Sequence, residues 1–281
     1  MGTVIDCHST AAKAAPDFEA LKSKQHAAWS SGDYARIGVT LQIVGEELAE
    51  AMDLRAGQKV LDIAAGNGNV TLAAARRWCH VTSTDYLESL LDHGRQRAEA
   101  EGLSIDFRIA DAEHLPFEDG SFDAVVSTFG AMFSPDQDST ASEMLRVCKP
   151  GGRIGLANWT PDGFIGQMFR AIGKYLPQPT GVKSPALWGT RVWIDQTFGV
   201  AASGIVATPR IFNFRYHSPH HFLDIFRKYY GPLLKAFEAL DASGQMALAR
   251  DILTLIGEMN LASDGTMVVP GEYLEVVVTR R

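Results

Sequence analysis

Between residues 59 and 157, short apolar runs alternate with segments whose apolar positions recur at helical spacing. Val60, Leu61 and Ile63 predict a strand over 59–64, and the Ala-rich stretch 70–79 a helix. A strand over 80–84, a helix over 87–100 stopped by Gly102 and a strand over 105–109 follow. Further strands are expected at Ala124–Ser127 and Arg153–Ala157. A helix around Thr140–Val147 and the turn Lys149-Pro150-Gly151-Gly152 separate them. This alternation predicts a parallel, doubly wound α/β sheet with helices on both faces.

The flanks read differently. Residues 1–16 carry little pattern and predict a loose arm. Pro16–Ser31 places Phe18, Leu21 and Trp29 at helical spacing, Gly32-Asp33-Tyr34 breaks the helix, and Ile37–Met52 resumes one. After Trp159 come a helix over Phe164–Tyr175, an irregular loop with Pro177, Pro179, Gly181 and Pro185, and a short helix near Val192–Phe198. A sixth strand is expected over Ile211–Tyr216, helices over 218–230 and 232–255, and a closing β run over Tyr273–Thr279. The reading is a single domain over 1–281, with an N-terminal helical cap at 17–54 and a substrate-side insertion at 160–208. Val268-Val269 reads as an exposed apolar face that a homodimer would hide.

The most informative stretch is VLDIAAGNGN at 60–69, with the acid Asp85 at the end of the second strand. Gly66 and Gly68 stand where the strand must turn sharply into a helix, and glycine lets a ligand approach the backbone closely there. Asp85 is placed to accept hydrogen bonds from two ribose hydroxyls, so the unit reads as a nucleoside-binding half of the sheet. The dinucleotide pattern G-x-G-x-x-G would need a third glycine at Thr71 and lacks it. Asp62, inside the first strand, would repel a pyrophosphate, and could instead hold an amine or order the loop. Asp111, at the end of the third strand, can accept from an adenine amino group while the next backbone N–H donates to the ring. Each acid also has a local use: Asp85 could cap the helix that follows, and Asp111 the turn that follows.

In order and spacing, VLDIAAGNGN (60–69), TSTDY (82–86), ADAEHLPF (110–117), SFDAVVSTFGAMF (121–133) and RVCKPGGRIGLANW (146–159) resemble the class I S-adenosylmethionine-dependent methyltransferases. The likeness is greatest to the small-molecule branch grouped with the ubiquinone/menaquinone C-methyltransferases. It implies a Rossmann-like, seven-stranded, mostly parallel sheet whose last strand runs antiparallel between the fifth and sixth. It also implies S-adenosylmethionine as cofactor and S-adenosylhomocysteine as product. Carried onto this sequence, Asp85 holds the ribose and Tyr86 lies against the adenosine. Asp111, Ala112 and Glu113 stand at the adenine edge. Asp62, Ala64, Gly66 and Asn69 belong to the methionine-side turn, and Ser127 and Phe129 line the site after the fourth strand. Trp29 and Tyr34 of the cap are candidates to close over the sulfonium. The family's first turn glycine is Ala64 here, which implies a strand end that keeps negative φ.

Charge narrows the partners. The net charge is −7 and no basic run appears, which argues against a nucleic-acid surface and for a small-molecule acceptor. The 46% hydrophobic and 21% charged content is that of an ordinary globular enzyme. Cys7, Cys79 and Cys148 form no CxxC pair, which fits reduced thiols and gives no metal signature. With no membrane-spanning run and no signal peptide, the expectation is a cytoplasmic protein.

The run Ser127-Thr128-Phe129-Gly130-Ala131-Met132 lacks the Asn/Asp-Pro-Pro-aromatic signature of base-amine methylation. No acidic trio for a divalent metal accompanies Asn158, which disfavours a metal-dependent O-methyltransferase. Phe129, Met132 and Phe133 suggest an apolar pocket. The expectation is methyl transfer to carbon or oxygen of a small, partly apolar acceptor. If a general base acts, His217, His220 and His221 are the candidates, while Arg227, Tyr229 and Tyr230 could orient the acceptor. N-methylation, a catalytically silent S-adenosylmethionine-binding regulator and, distantly, a NAD-dependent oxidoreductase stay open at this stage.

Overall fold

The computed structural model describes residues 16–178 and 181–281; Cys7, Pro179 and most of the expected N-terminal arm lie outside these. The strands are β1 (Lys59–Ile63), β2 (His80–Asp85), β3 (Asp106–Ile109), β4 (Phe122–Thr128), β5 (Cys148–Trp159), β6 (Ala202–Tyr216) and β7 (Met267–Arg280). They form one sheet in the order β3-β2-β1-β4-β5-β7-β6. The first five strands run parallel, and β7 is antiparallel to both β5 and β6. β1 is buried from Val60 to Ile63, as a central strand covered on both faces must be.

The helices before and within the parallel half are α1 (Phe18–Ser30), α2 (Ala35–Gly38), α3 (Gln42–Ala51), α4 (Asn69–Arg76), α5 (Glu88–Ala100) and α6 (Gln137–Val147). Between β5 and β6 stand α7 (Phe164–Tyr175) and α8 (Arg191–Phe198). Between β6 and β7 stand α9 (Pro219–Tyr229), α10 (Gly231–Ala239) and α11 (Ala242–Met259). The crossovers carry β1, β2 and β3 to one side and β4 to the other, which opens a crevice at the carboxyl ends of β1 and β4.

Several expected boundaries move. The 37–52 helix is divided by a 3₁₀ turn at Val39–Leu41, and the Gly38 carbonyl just before it accepts Asn69 Nδ2 at 2.7 Å. β5 begins at Cys148, because the Lys149–Gly152 turn is folded into the ladder as a bulge. Its register jumps from Phe122↔Cys148 to Ala124↔Arg153. β6 begins at Ala202 and not near Ile211, so the insertion spans 160–201. The apparent breakers Gly204 and Pro209 are tolerated because β6 is an edge strand paired on one side only. The expected 232–255 helix is two helices, α11 restarting where Asp241 accepts Gly244 N at 2.7 Å. β7 likewise begins early, at Met267, and takes Val269 into the core. Val268-Val269 is therefore not an exposed dimer face.

Candidate active site at the carboxyl ends of β1, β2 and β4

The turn from β1 to α4 runs through Ala64, Ala65, Gly66, Asn67 and Gly68, with φ of +56° at Gly66 and +82° at Gly68. Ala64 also stands at φ +49°, contrary to the negative φ expected of it. The turn after β4 makes room for it. A Cβ at Gly130 would sit 2.1 Å from the Ala64 carbonyl oxygen and 2.8 Å from the Ala64 Cβ, so Gly130 leaves the room that Ala64 occupies. Phe129, just before Gly130, is itself at φ +56° and is tied back by its N–H to the Ala157 carbonyl at 2.9 Å.

Asp62 is fully buried and does not reach the cavity. Its Oδ2 accepts the Thr71 N–H at 3.1 Å and the Thr71 hydroxyl at 2.5 Å, while its Oδ1 has no partner. Its carboxylate therefore meets the amino end of α4 from within the core. Burial pushes its carboxyl up to about 7, against the hydrogen bonds from Thr71.

Asp85 stands opposite. Its Oδ2 accepts Gly66 N and its Oδ1 accepts Leu87 N, both at 2.9 Å. Each oxygen keeps a free lone pair, so Asp85 orders both turns and can still accept from a diol. Burial pushes it up to about 6, offset in part by those N–H donors. Asp111 caps its own turn in the same way, its Oδ1 accepting Glu113 N at 3.0 Å.

Asp85 and Asp111 border an open cavity at the carboxyl edge of the sheet, where α/β folds bind ligands. Trp29, Tyr34, Ala64, Gly66, Asn69, Tyr86, Ala112, Glu113 and Phe129 also line it. A second, smaller cavity adjoins it and shares Trp29, Tyr34, Phe129 and Phe133. Its other walls include Trp159, Met168, Phe214, Phe226 and Tyr230, and among the described residues no acid, lysine, arginine or histidine lines it. Phe129 stacks on Trp159 with ring centroids 3.9 Å apart and planes 4° from parallel. Trp29 meets Tyr34, Phe133 and Tyr230 edge-on at 5.1–5.5 Å. Burial raises the Tyr230 phenol, and burial together with Asp85 raises that of Tyr34, so both stay protonated.

A family described as a methyltransferase domain matches residues 60–152. Ubiquinone/menaquinone biosynthesis C-methyltransferase UbiE of Bartonella tribocorum is 49% identical over 101 residues, 34% of this chain and 39% of that one. The chain belongs to the class I S-adenosylmethionine-dependent methyltransferases. Over nearly its whole length this methyltransferase is similar to the uncharacterized protein Rv1405c of Mycobacterium tuberculosis. The two are 34% identical over 94% of this chain and 96% of that one. Its fold is that of YcgJ from Bacillus subtilis (TM-score 0.56, 19% identity, 84% of this chain and 98% of that one). Phosphoethanolamine N-methyltransferase 2 of Haemonchus contortus, solved with S-adenosylhomocysteine, has a TM-score of 0.51 at 16% identity. That likeness covers 84% of this chain and 52% of that one.

Of the residues expected to bind the cofactor, Asp62 on β1 and Ser127 on β4 are the two that do not line the cavity. Ser127 is buried behind it, donating to the Ile63 carbonyl at 2.7 Å and accepting Ala131 N at 3.0 Å, so it fastens β4 to β1. Met132 is likewise core. His217, His220 and His221 line neither cavity of the methyltransferase. His221 faces a separate groove beside Ile43, Glu47 and Arg215, and its Nδ1 accepts the His217 N–H at 3.3 Å. Arg227 lies over the Phe237 ring and bonds Gln245, and Tyr229 serves through its carbonyl, which leaves Tyr230 as the one member of that trio in a cavity wall.

Sequence reasoning missed Lys22, Gln25, Asn67, Leu90 and Ser134 in the first cavity, and Phe214 and Phe226 in the second. Nothing local marks them, except that the apolar spacing of Phe222, Phe226 and Tyr230 along α9 shows an inward face.

Proposed function

We propose that this methyltransferase transfers the methyl group of S-adenosylmethionine to a carbon or oxygen of a small, partly apolar acceptor held in the second cavity. The observation that carries this reading is the lining of that cavity: it is apolar and aromatic, without a charged side chain among the described residues, and it shares the walls Trp29, Tyr34, Phe129 and Phe133 with the nucleoside cavity.

The residues present fit the cofactor. Asp85, ionised above about pH 6, would hold the ribose, Asp111 would accept from the adenine amino group, and the Gly66 turn would face the methionine part. When bound, S-adenosylmethionine supplies an electrophilic methyl carbon on a cationic sulfur. Trp29 and Tyr34 would offer aromatic faces to that positive charge at the junction of the two cavities. The stacked Phe129–Trp159 pair would fix the acceptor's approach, and the aromatic walls would exclude water. Positioning of this kind can account for about 7–11 kcal/mol of a two-reactant barrier. No carboxylate or imidazole lines the acceptor side, so this reading has the acceptor present an electron pair already free of a proton. An ionised oxygen or an activated carbon satisfies that requirement.

A second reading, N-methylation of an amine, draws on the same aromatic lining, which would also suit a cationic amine. The lack of a carboxylate to take the amine's proton counts against it. The acidic balance speaks for a small molecule over nucleic acid. No helix of the described residues is long and apolar enough to cross a membrane, and Cys79 and Cys148 are unpaired. A cytoplasmic location belongs to the proposed reading, and the unpaired thiols support it.

The test is methyl transfer from methyl-labelled S-adenosylmethionine to a panel of small phenols, enols and amines, with S-adenosylhomocysteine release measured in parallel. Label on oxygen or carbon supports the reading, label confined to amines moves the assignment to the second, and binding without turnover on any acceptor would mark a silent regulator.

A further inference from the structure

Helix α1 forms the outer wall of the cofactor cavity and contributes Lys22, Gln25 and Trp29 to it, yet none of its own residues is fully buried. It is held at two places. Near its carboxyl end Trp29 is wedged among Tyr34, Phe133 and Tyr230. The chain then turns at Gly32 (φ +85°), where a Cβ would lie 2.8 Å from the Tyr229 carbonyl oxygen, and Asp33 N donates to that carbonyl at 3.1 Å. Seven residues earlier in the helix, about 10 Å along its axis, Lys22 Nζ stands 2.6 Å from Asp111 Oδ2 and 2.9 Å from Glu113 Oε2.

That second hold is more than a surface ion pair. The Glu113 side chain is only 3% exposed, and its other oxygen accepts Asp136 N at 2.9 Å. Burial alone would lower the Lys22 ammonium, yet the two carboxylates hold it above its ordinary range. Burial alone would raise Asp111, yet Lys22 and the Glu113 N–H hold it below the usual carboxylate range. Asp111, Glu113 and His114 could bring one ligand atom each within 4.8 Å of one another, and the protein's own cation already stands on two of the three. Without Lys22, the buried Glu113 carboxylate would lose its closest cation beside a second anion, which is the costly way to break such a pair.

We propose that Lys22 is a positioning residue for the cofactor: its pairing with Asp111 and Glu113 latches α1 across the adenosine end of the cavity and sets how long the cofactor is retained. The proposal rests on the assignment of this cavity to S-adenosylmethionine. Helix α1 is the wall least rooted in the core, so it is the wall that lifts for a nucleoside to pass. Trp29 and the Ser31–Asp33 turn form its fixed end and Lys22 its releasable one.

The experiment compares Lys22→Met, which keeps the length of the stem and removes the charge, with Lys22→Arg. S-adenosylhomocysteine dissociation is followed by stopped-flow tryptophan fluorescence. Trypsin cleavage after Lys24 is measured with and without S-adenosylhomocysteine, and the thermal midpoint is measured without ligand. The expected result is dissociation faster by about tenfold in Lys22→Met, loss of the ligand's protection of Lys24, and recovery to within about threefold in Lys22→Arg. The ligand-free thermal midpoint should fall in Lys22→Met, where the buried Glu113 loses its cation, and recover in Lys22→Arg, with the fall too small to account for the faster dissociation. Dissociation and protection unchanged in Lys22→Met would overturn the proposal. So would a fall in ligand-free stability that by itself accounts for the lost affinity. A wild-type protein that does not bind S-adenosylhomocysteine would instead unseat the cofactor assignment, and that arm is read before any variant.

Discussion

The carbonyl oxygen of Ala64 lies 2.1 Å from where a Cβ on Gly130 would be, so the ends of β1 and β4 meet through a gap that only glycine can leave. Ala64 in turn holds φ +49°, a conformation that costs an L-residue about 1–2 kcal/mol. Gly130→Ala should therefore force the two turns apart and remove S-adenosylhomocysteine binding, measured by titration calorimetry. Ala64→Gly relieves the backbone and should stabilise the fold by about 0.5–1 kcal/mol in urea unfolding. A destabilised Ala64→Gly would show that the strain is not borne there.

Asp85 is expected to control cofactor affinity through its charge. Its carboxyl is pushed up to about 6 in the free protein, so it takes up a proton as the pH falls through that value. If the ionised form binds, S-adenosylhomocysteine affinity should be level above pH 7 and about tenfold weaker at pH 5. Asp85→Asn should be weak at every pH and lack the step. A step that persists in Asp85→Asn would assign it to another group.

Asp62 makes the opposite kind of pH prediction, on stability. Its folded carboxyl is raised to about 7, while an unfolded aspartate titrates near 4. Between those values the folded state holds a proton that the unfolded state has released, so stability should fall as pH rises through the window. Asp62→Asn keeps an acceptor for Thr71, carries no charge, and should flatten that slope. Asp62→Ala abandons Thr71 and should cost about 1–3 kcal/mol at any pH. Urea midpoints from pH 4 to 8 decide between these outcomes.

The three histidines offer a sharp negative test. Since His217, His220 and His221 line neither cavity, replacing all three with alanine should leave S-adenosylhomocysteine affinity and methyl transfer within about twofold of wild type. A large loss of turnover with intact cofactor binding would return a histidine to the acceptor side.

Most of the cofactor side was legible in the sequence because its determinants are local. The β1 turn, Asp85 and Asp111 each sit at the end of a strand whose apolar run marks it, and β-strand ends are where α/β sheets bind ligands. Asp62 and Ser127 belonged to the right segments but were read into the cavity. Both instead face inward and spend their oxygens on Thr71, Ile63 and Ala131. The start of β6 at Ala202 is not legible locally, because Gly204 and Pro209 are compatible with a strand only at a sheet edge, and the edge position is a tertiary fact.

The sequence by itself determined the alternation of strands and helices, the glycine turn, and the acids at the ends of β2 and β3. Each depends on a residue's own conformational preference or on neighbours within a turn or a strand. Only the tertiary structure decided that Lys22 stands on Asp111, 89 residues away, and that Gly130 leaves room for the Ala64 carbonyl. It likewise decided that Trp29, Phe129, Phe214 and Tyr230 close around one cavity. Those relationships arise when separate elements are packed to the density of a solid, where a single methyl group or ammonium has one place to go. Periodicity along the chain records which face is buried, and says nothing of what it is buried against.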